Sequence, residues 1–177
     1  MFDELNNLIE NEDNSKISLV TVLKDLSKTI SIYDQMKVTN EIRENLIYIE
    51  GSLKESFFET YVNSIIRVND VKNDKNIYPN ECFDFKEFVK SILTLENQYY
   101  ENQKNKEISE EFKKIGLITS LYTTFILDEP IHPTGTKFPG NLELTYKNGT
   151  YYCPVKENNK NNPYAVCQFC IAEQLDF

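Results

Sequence analysis

No run in this sequence approaches the roughly 18 apolar residues of a membrane-spanning helix, so a spanning protein is not expected. Clustered lysine and arginine, which a phosphate backbone demands, are also missing, and this disfavours nucleic-acid binding. The opening "MFDELNNLIENED" carries acidic residues and no apolar centre, so it does not read as an export signal. The expected compartment is therefore cytoplasmic. Internal repeats and low-complexity linkers are absent, and no amphipathic stretch has the strongly basic polar face of a membrane-surface helix. Proline and glycine are scarce before Pro130: that region holds one of the six prolines and two of the five glycines. Histidine occurs once, at His132.

What is present fits an ordinary folded chain. At 177 residues the length suits one domain, or one domain with a small appendage. Hydrophobic residues at 40% and aromatics at 12% argue against disorder. The net charge of −9 is unevenly placed. From Ile131 onward four lysines balance four acidic residues, so the whole excess lies before that point.

Up to about Leu127 the hydrophobic period is that of helices, and no strand longer than a few residues is expected there. Phe2, Leu5, Leu8 and Ile9 share one face. "ISLVTVLKDLSKTISIY" repeats the pattern through Leu19, Leu23, Leu26, Ile30 and Tyr33. A longer stripe from Asn40 runs through Leu46, Ile49, Leu53, Phe57, Tyr61, Ile65 and Val68, with Gly51 as a weak point. "NDVKNDKNIYPN" reads as a polar loop. Asp84 with Glu87 makes a capping-box-like start for a helix bearing Phe88, Ile92 and Leu95. Ser109 can cap the last helix, which turns Phe112, Ile115, Ile118, Tyr122 and Phe125 inward. Of the neighbours Tyr99 and Tyr100, one is expected buried and one exposed.

The character changes at Pro130. "EPIHPTGTKFPG" is too rich in proline and glycine for helix or strand. "LELTYKNGTYYCPV" reads as a β-hairpin about Asn148-Gly149. "KENNKNN" is a loop, and Pro163 can open a short final helix through Gln174. The fold class expected is mainly α. An antiparallel helical bundle over residues 1–128 carries a metal-binding lobe over 129–177, a small zinc-stapled hairpin plus short helix, packed on it as one compact unit.

Cys153, Cys167 and Cys170 lie within eighteen residues of one another. Disulfides need an oxidising compartment, and a cytosolic C-x2-C pair points instead to metal binding or redox chemistry. Cys167 and Cys170 can direct two thiolates at one ion, Cys153 ends a hairpin strand, and His132 lies just upstream. Cys3His with soft sulfur donors suits zinc, so His132, Cys153, Cys167 and Cys170 are the expected ligands. The zinc-deaminase pattern fails: Pro133 and Thr134 follow His132, with no glutamate in place, and Val166 rather than proline precedes Cys167. A thioredoxin-like dithiol lacks its βαβ setting. Glu129 and Glu173 could act as base or acid but read better as neighbours of the ligands or as solvated charges, Glu129 being one available partner for the second ring nitrogen of His132. Cys82, remote in sequence, reads as a buried spectator thiol. No catalytic residue is assigned.

"LYTTFI", "EPIHPTGTKFPG" and "GTYYCPVKENNKNNPYAVCQFCIAEQ" together resemble the DUF2115 (UPF0305) family of archaeal proteins, found mainly in methanogens. The motif match covers about the last third of the chain. The resemblance implies a methanogenic host and places the four proposed ligands in the family's motif segment, with Cys82 outside it. It transfers no activity. The reading that follows is a non-enzymatic interaction or adaptor module with a structural zinc site and a protein partner. The alternative is a metalloenzyme or redox protein, for example an iron–sulfur protein, using the same cluster.

Overall fold

The computed structural model describes residues 1–104, 108–162 and 165–175. Six helices lead the chain: α1 (Phe2–Glu10), α2 (Lys16–Lys28), α3 (Ile32–Asn45), α4 (Gly51–Asn73), α5 (Phe85–Lys104) and α6 (Glu110–Phe125). α2, α4 and α6 pack on one another at the centre. α1 and α5 close one side, and α3 lies against α4 and α6. Among the described residues before Pro130 the only β pairing is an isolated bridge between Ser15 and Cys82.

Where α2 and α3 part, local chemistry overrides the hydrophobic stripe. The stripe alone would carry a helix on to Tyr33. Instead Ser31 closes a capping box: Asp34 N–H donates to Ser31 Oγ at 3.2 Å, and Ser31 N–H donates to Asp34 Oδ2 at 2.7 Å. A new helix starts there. Ile30 remains buried while Tyr33 turns out to 78% exposure. The stripe from Asn40 also divides. Its weak point is the break: Gly51 has φ +64° at the head of α4, a left-handed conformation that costs other residues about 1–2 kcal/mol. Tyr61, which the stripe would put inside, is 40% exposed.

α5 and α6 start as their capping residues require. Glu87 N–H donates to Asp84 Oδ1 at 3.0 Å, and Phe112 N–H to Ser109 Oγ at 3.2 Å. α6 is buried on nearly every side from Leu117 to Phe125, well beyond a single stripe. Two of its hydroxyls back-bond to the preceding turn: Thr119 Oγ1 donates to Ile115 O at 2.8 Å and Ser120 Oγ to Leu117 O at 3.2 Å. Phe83, Phe88 and Phe125 stack with centroids 4.8–5.7 Å apart and fasten α5 to α6. Tyr99 is half-buried and Tyr100 exposed.

After α6 come two small antiparallel pairings and one parallel one. β1 (Lys137–Phe138) pairs with β2 (Leu142–Glu143), so the Pro/Gly segment does contain a two-residue strand. β3 (Thr145–Lys147) pairs with β4 (Thr150–Cys153) across Asn148 (φ +52°) and Gly149 (φ +86°), both left-handed as a type I′ turn requires. A one-turn helix, α7 (Lys156–Asn159), occupies the segment expected to be loop. The expected final helix does not form over the described residues. A 3-10 turn at Val166–Gln168 is followed by β5 (Glu173–Gln174), which pairs in parallel with β4. The open edge of β4 offers backbone hydrogen bonds that a helix there could not use. Pro163 lies outside the described residues. The result is mainly α with small sheets near the C-terminus.

Candidate metal centre

His132, Cys153, Cys167 and Cys170 line one small cavity of about 10 Å³, with Ile131, Leu144, Lys156 and Val166 completing the wall. That is space for about one water-sized particle. The four come from different elements, and each is held by its own local device.

His132 sits in a loop that is fastened on its C-terminal side. Gly135, at φ +85°, donates its N–H to Leu144 O at 2.8 Å, Leu144 N–H returns to Thr136 O at 3.1 Å, and Thr136 Oγ1 donates to Pro133 O at 2.7 Å. The His132 ring meets Phe138 edge-on at 5.6 Å, and burial pushes its pKa below the ordinary histidine value. Neutral imidazole is thereby favoured, the form a metal ligand needs. Cys153 ends β4 and is buried. Its carbonyl accepts from Leu175 N–H at 3.0 Å, which fixes the strand end against the tail.

Cys167 lies within the 3-10 turn and Cys170 two residues after it. Between them Phe169 is buried in the bundle core, whereas Cys170 packs on the smaller core of Phe138, Leu144, Cys153 and Ala172. The turn thus spans both cores. α5 steadies it through Gln98 Nε2, which donates to Ala165 O at 3.3 Å. Lys156 Nζ donates to the carbonyls of Cys170 at 2.8 Å and Ala172 at 2.5 Å.

Burial raises the Cys153 thiol pKa; the N–H groups of Val155 and Lys156 facing its sulfur oppose this, and Cys170 adds to the rise. Cys167 is pushed up to about 11 by burial, then by the neighbouring Cys170 and Cys153. For Cys153 and Cys167 the neutral thiol is therefore the favoured form at neutral pH. Among the described residues, however, no three His, Cys, Asp or Glu side chains converge closely enough to hold an ion as they stand. The donors share a cavity without forming a closed cage.

Other residues fall differently from expectation. Cys82 is exposed, not buried. It lies in the short bridging segment where Phe83 N–H donates to Asn14 O at 3.0 Å and Lys16 N–H to Glu81 O at 2.9 Å. Side chains alternate along such a segment, and Phe83 takes the inward position. Glu129 turns to Arg67, whose Nη1 donates to Oε2 at 2.9 Å, and it lines a separate cleft. Glu173 is exposed in β5. Lys156 was not legible as part of the site. Its only signal was a lone positive charge three residues after Cys153.

A helical bundle that carries a small Cys- and His-lined lobe is the class that fold and site define. The chain belongs to the family described as an uncharacterized protein conserved in archaea (DUF2115), whose model matches residues 15–175. Curated relatives bear the name UPF0305 protein. One from Methanothermobacter thermautotrophicus is 34% identical over 163 residues, covering 90% of this chain and 96% of its own. One from Methanococcus maripaludis is 29% identical, covering 87% and 93%, and one from Methanocaldococcus jannaschii is 28% identical, with the same coverage. No solved structure matches the chain. Among the described residues no helix is long and apolar enough to cross a membrane.

Proposed function

We propose that this protein is a non-enzymatic interaction module whose C-terminal lobe is held together by a structural zinc ion at His132, Cys153, Cys167 and Cys170. The observation that carries this reading is the meeting of all four side chains at one cavity from separate elements. The donor set fits: three soft sulfurs and one imidazole of neutral form suit Zn²⁺. The N–H groups of Val155 and Lys156 at the Cys153 sulfur would stabilise a thiolate once a metal displaced its proton. Zinc there would act as a cross-link among segments with little core of their own. An interaction role, with a protein as partner, is supported by apolar side chains left in solvent on and after α3. Ile32 is 61% exposed, Met36 58% and Ile47 63%.

Metal analysis of protein purified without oxygen tests this reading. The expected result is one zinc per chain, lost in Cys167→Ser and in Cys170→Ser but retained in Cys82→Ser. Absence of metal overturns it, as does a brown protein containing iron, which would make the lobe an iron–sulfur site.

A further inference from the structure

A second cavity, of about 340 Å³, opens between α4, α6 and residues 129–134, with Tyr151 of β4 contributing to its lining. It is separate from the sulfur-lined cavity, although Ile131 contributes to both walls. Its volume lies in the range of small-molecule sites, roughly 300–1,000 Å³, and such sites favour seams between structural units.

The lining is unbalanced in charge and in hydrogen bonding. Arg67 and Glu129 form an ion pair at 2.9 Å and neutralise one another. Asp70, one helical turn beyond Arg67, also lines the cavity and makes no ion pair among the described residues. One negative charge is left over. Thr123 is 6% exposed, and its hydroxyl has no hydrogen-bond partner among the described residues. Its oxygen is not sealed in protein, in contrast to the adjacent Thr124 Oγ1, which is both buried and unpaired. A buried, unpartnered hydroxyl open to a cavity is a group prepared for a ligand or water. Thr119 also lines the cavity; it gives its proton to Ile115 O, so its oxygen can serve a ligand only as an acceptor. Asp70 and the second oxygen of Glu129 add further acceptors.

We propose that this cleft binds a small organic molecule through a primary ammonium group, with Asp70 as counter-charge and Glu129, Thr123 and Thr119 as hydrogen-bond acceptors. An ammonium brings three donors, no acceptor and one positive charge, which complements the leftover charge of Asp70 and the acceptors beside it. The chain's net charge of −9 draws cations and repels anions over the same surface. The proposal does not depend on the metal at the neighbouring cavity.

The test is a titration of the full-length protein at low salt with ethanolamine and with 1,4-diaminobutane, followed by amide chemical shifts. Phosphate and glucose serve as contrasts. Saturable shifts are expected for the amines at residues 60–70, 119–123 and 129–134, with none for phosphate or glucose. Asp70 is exposed, so Asp70→Asn should fold normally, as judged by an unchanged melting temperature. It should weaken amine binding by about 10-fold or more. Thr123→Val, nearly isosteric, should weaken it by a smaller factor. No saturable shift with either amine overturns the proposal, as does equal affinity in Asp70→Asn or preferential binding of phosphate or glucose.

Discussion

A carboxylate removed from water must regain hydrogen bonds, and Asp74 regains them from three directions. Tyr78 and Tyr122 each donate a hydroxyl to Oδ2 at 2.7 Å, and Asn76 N–H donates to Oδ1 at 2.7 Å. Desolvation by itself would raise the Asp74 pKa, but these donors outweigh it and hold it below the ordinary carboxylate value. Burial, joined by the Asp74 charge, raises both tyrosines. A depressed carboxyl contributes stability that is present above its unfolded pKa of about 4 and is lost as pH falls through the folded value. A raised phenol contributes stability that is full below about pH 10 and is lost as pH rises further. Chemical denaturation across pH should therefore show a plateau between about 4 and 10 that falls on both sides. Tyr122→Phe should cost about 1.5–3 kcal/mol at neutral pH, the usual worth of a hydrogen bond to a charged group, and should soften the acid limb. An unchanged acid limb would mean that Asp74 is not held by this network. None of this was legible beforehand: "NDVKNDKNIYPN" reads as polar loop, and single polar residues carry no spacing that names a partner 48 residues away. The four sulfur and nitrogen donors were legible as a group because their types are rare in this chain and their spacing is compact. How closely they approach a common point was not.

Between elements, short-range chemistry set the boundaries where hydrophobic period could not. The stripe through Ile30 and the one through Leu53 continue across real breaks, because apolar residues on either side of a turn can both face the core. What stops the helices is the capping box at Ser31 and the left-handed backbone at Gly51. Ser31→Ala should cost about 0.5–2 kcal/mol in equilibrium unfolding, the ordinary loss of an N-cap. Gly51→Ala isolates the backbone cost, since a Cβ there meets no atom within 4 Å. It should cost about 1–2 kcal/mol. Neither change should alter metal content. A neutral Gly51→Ala would mean that the α3–α4 turn relaxes easily and that Gly51 is not its determinant. The hairpin about Asn148-Gly149 was legible because its turn chemistry and the flanking β-formers agree. The final strand was not, because Glu173-Gln174 adopts its extended form only against the edge of β4.

At the scale of the molecule, the two cores are very unequal, and Phe169 joins them. The bundle buries many large apolar side chains, from Phe2 to Ile126, whereas the lobe core holds Phe138, Leu144, Cys153 and Ala172. A segment with so small a core is rarely stable by burial alone and needs a staple or a neighbour. It has the neighbour in Phe169, which is 6% exposed within the bundle core, and in Ile131 and Val166 packed against that core. On the proposed reading it also has the staple. Zinc binding in small modules is worth about 10–16 kcal/mol of apparent free energy, which becomes folding free energy where no site exists in the unfolded chain. The two supports can be separated by hydrogen exchange. Removing metal with a chelator should deprotect residues 131–175 while leaving α2, α4 and α6 protected, and far-ultraviolet helical signal should be largely kept. Phe169→Ala should remove about 3–5 kcal/mol of packing. It should loosen the same segment from the bundle even with metal bound, because the ion ties the lobe to itself rather than to α5 and α6. Protection of the tail that is identical with and without chelator, in the intact chain and in Phe169→Ala alike, would remove the structural role from the metal and leave the cavity at His132 and the three cysteines free for chemistry.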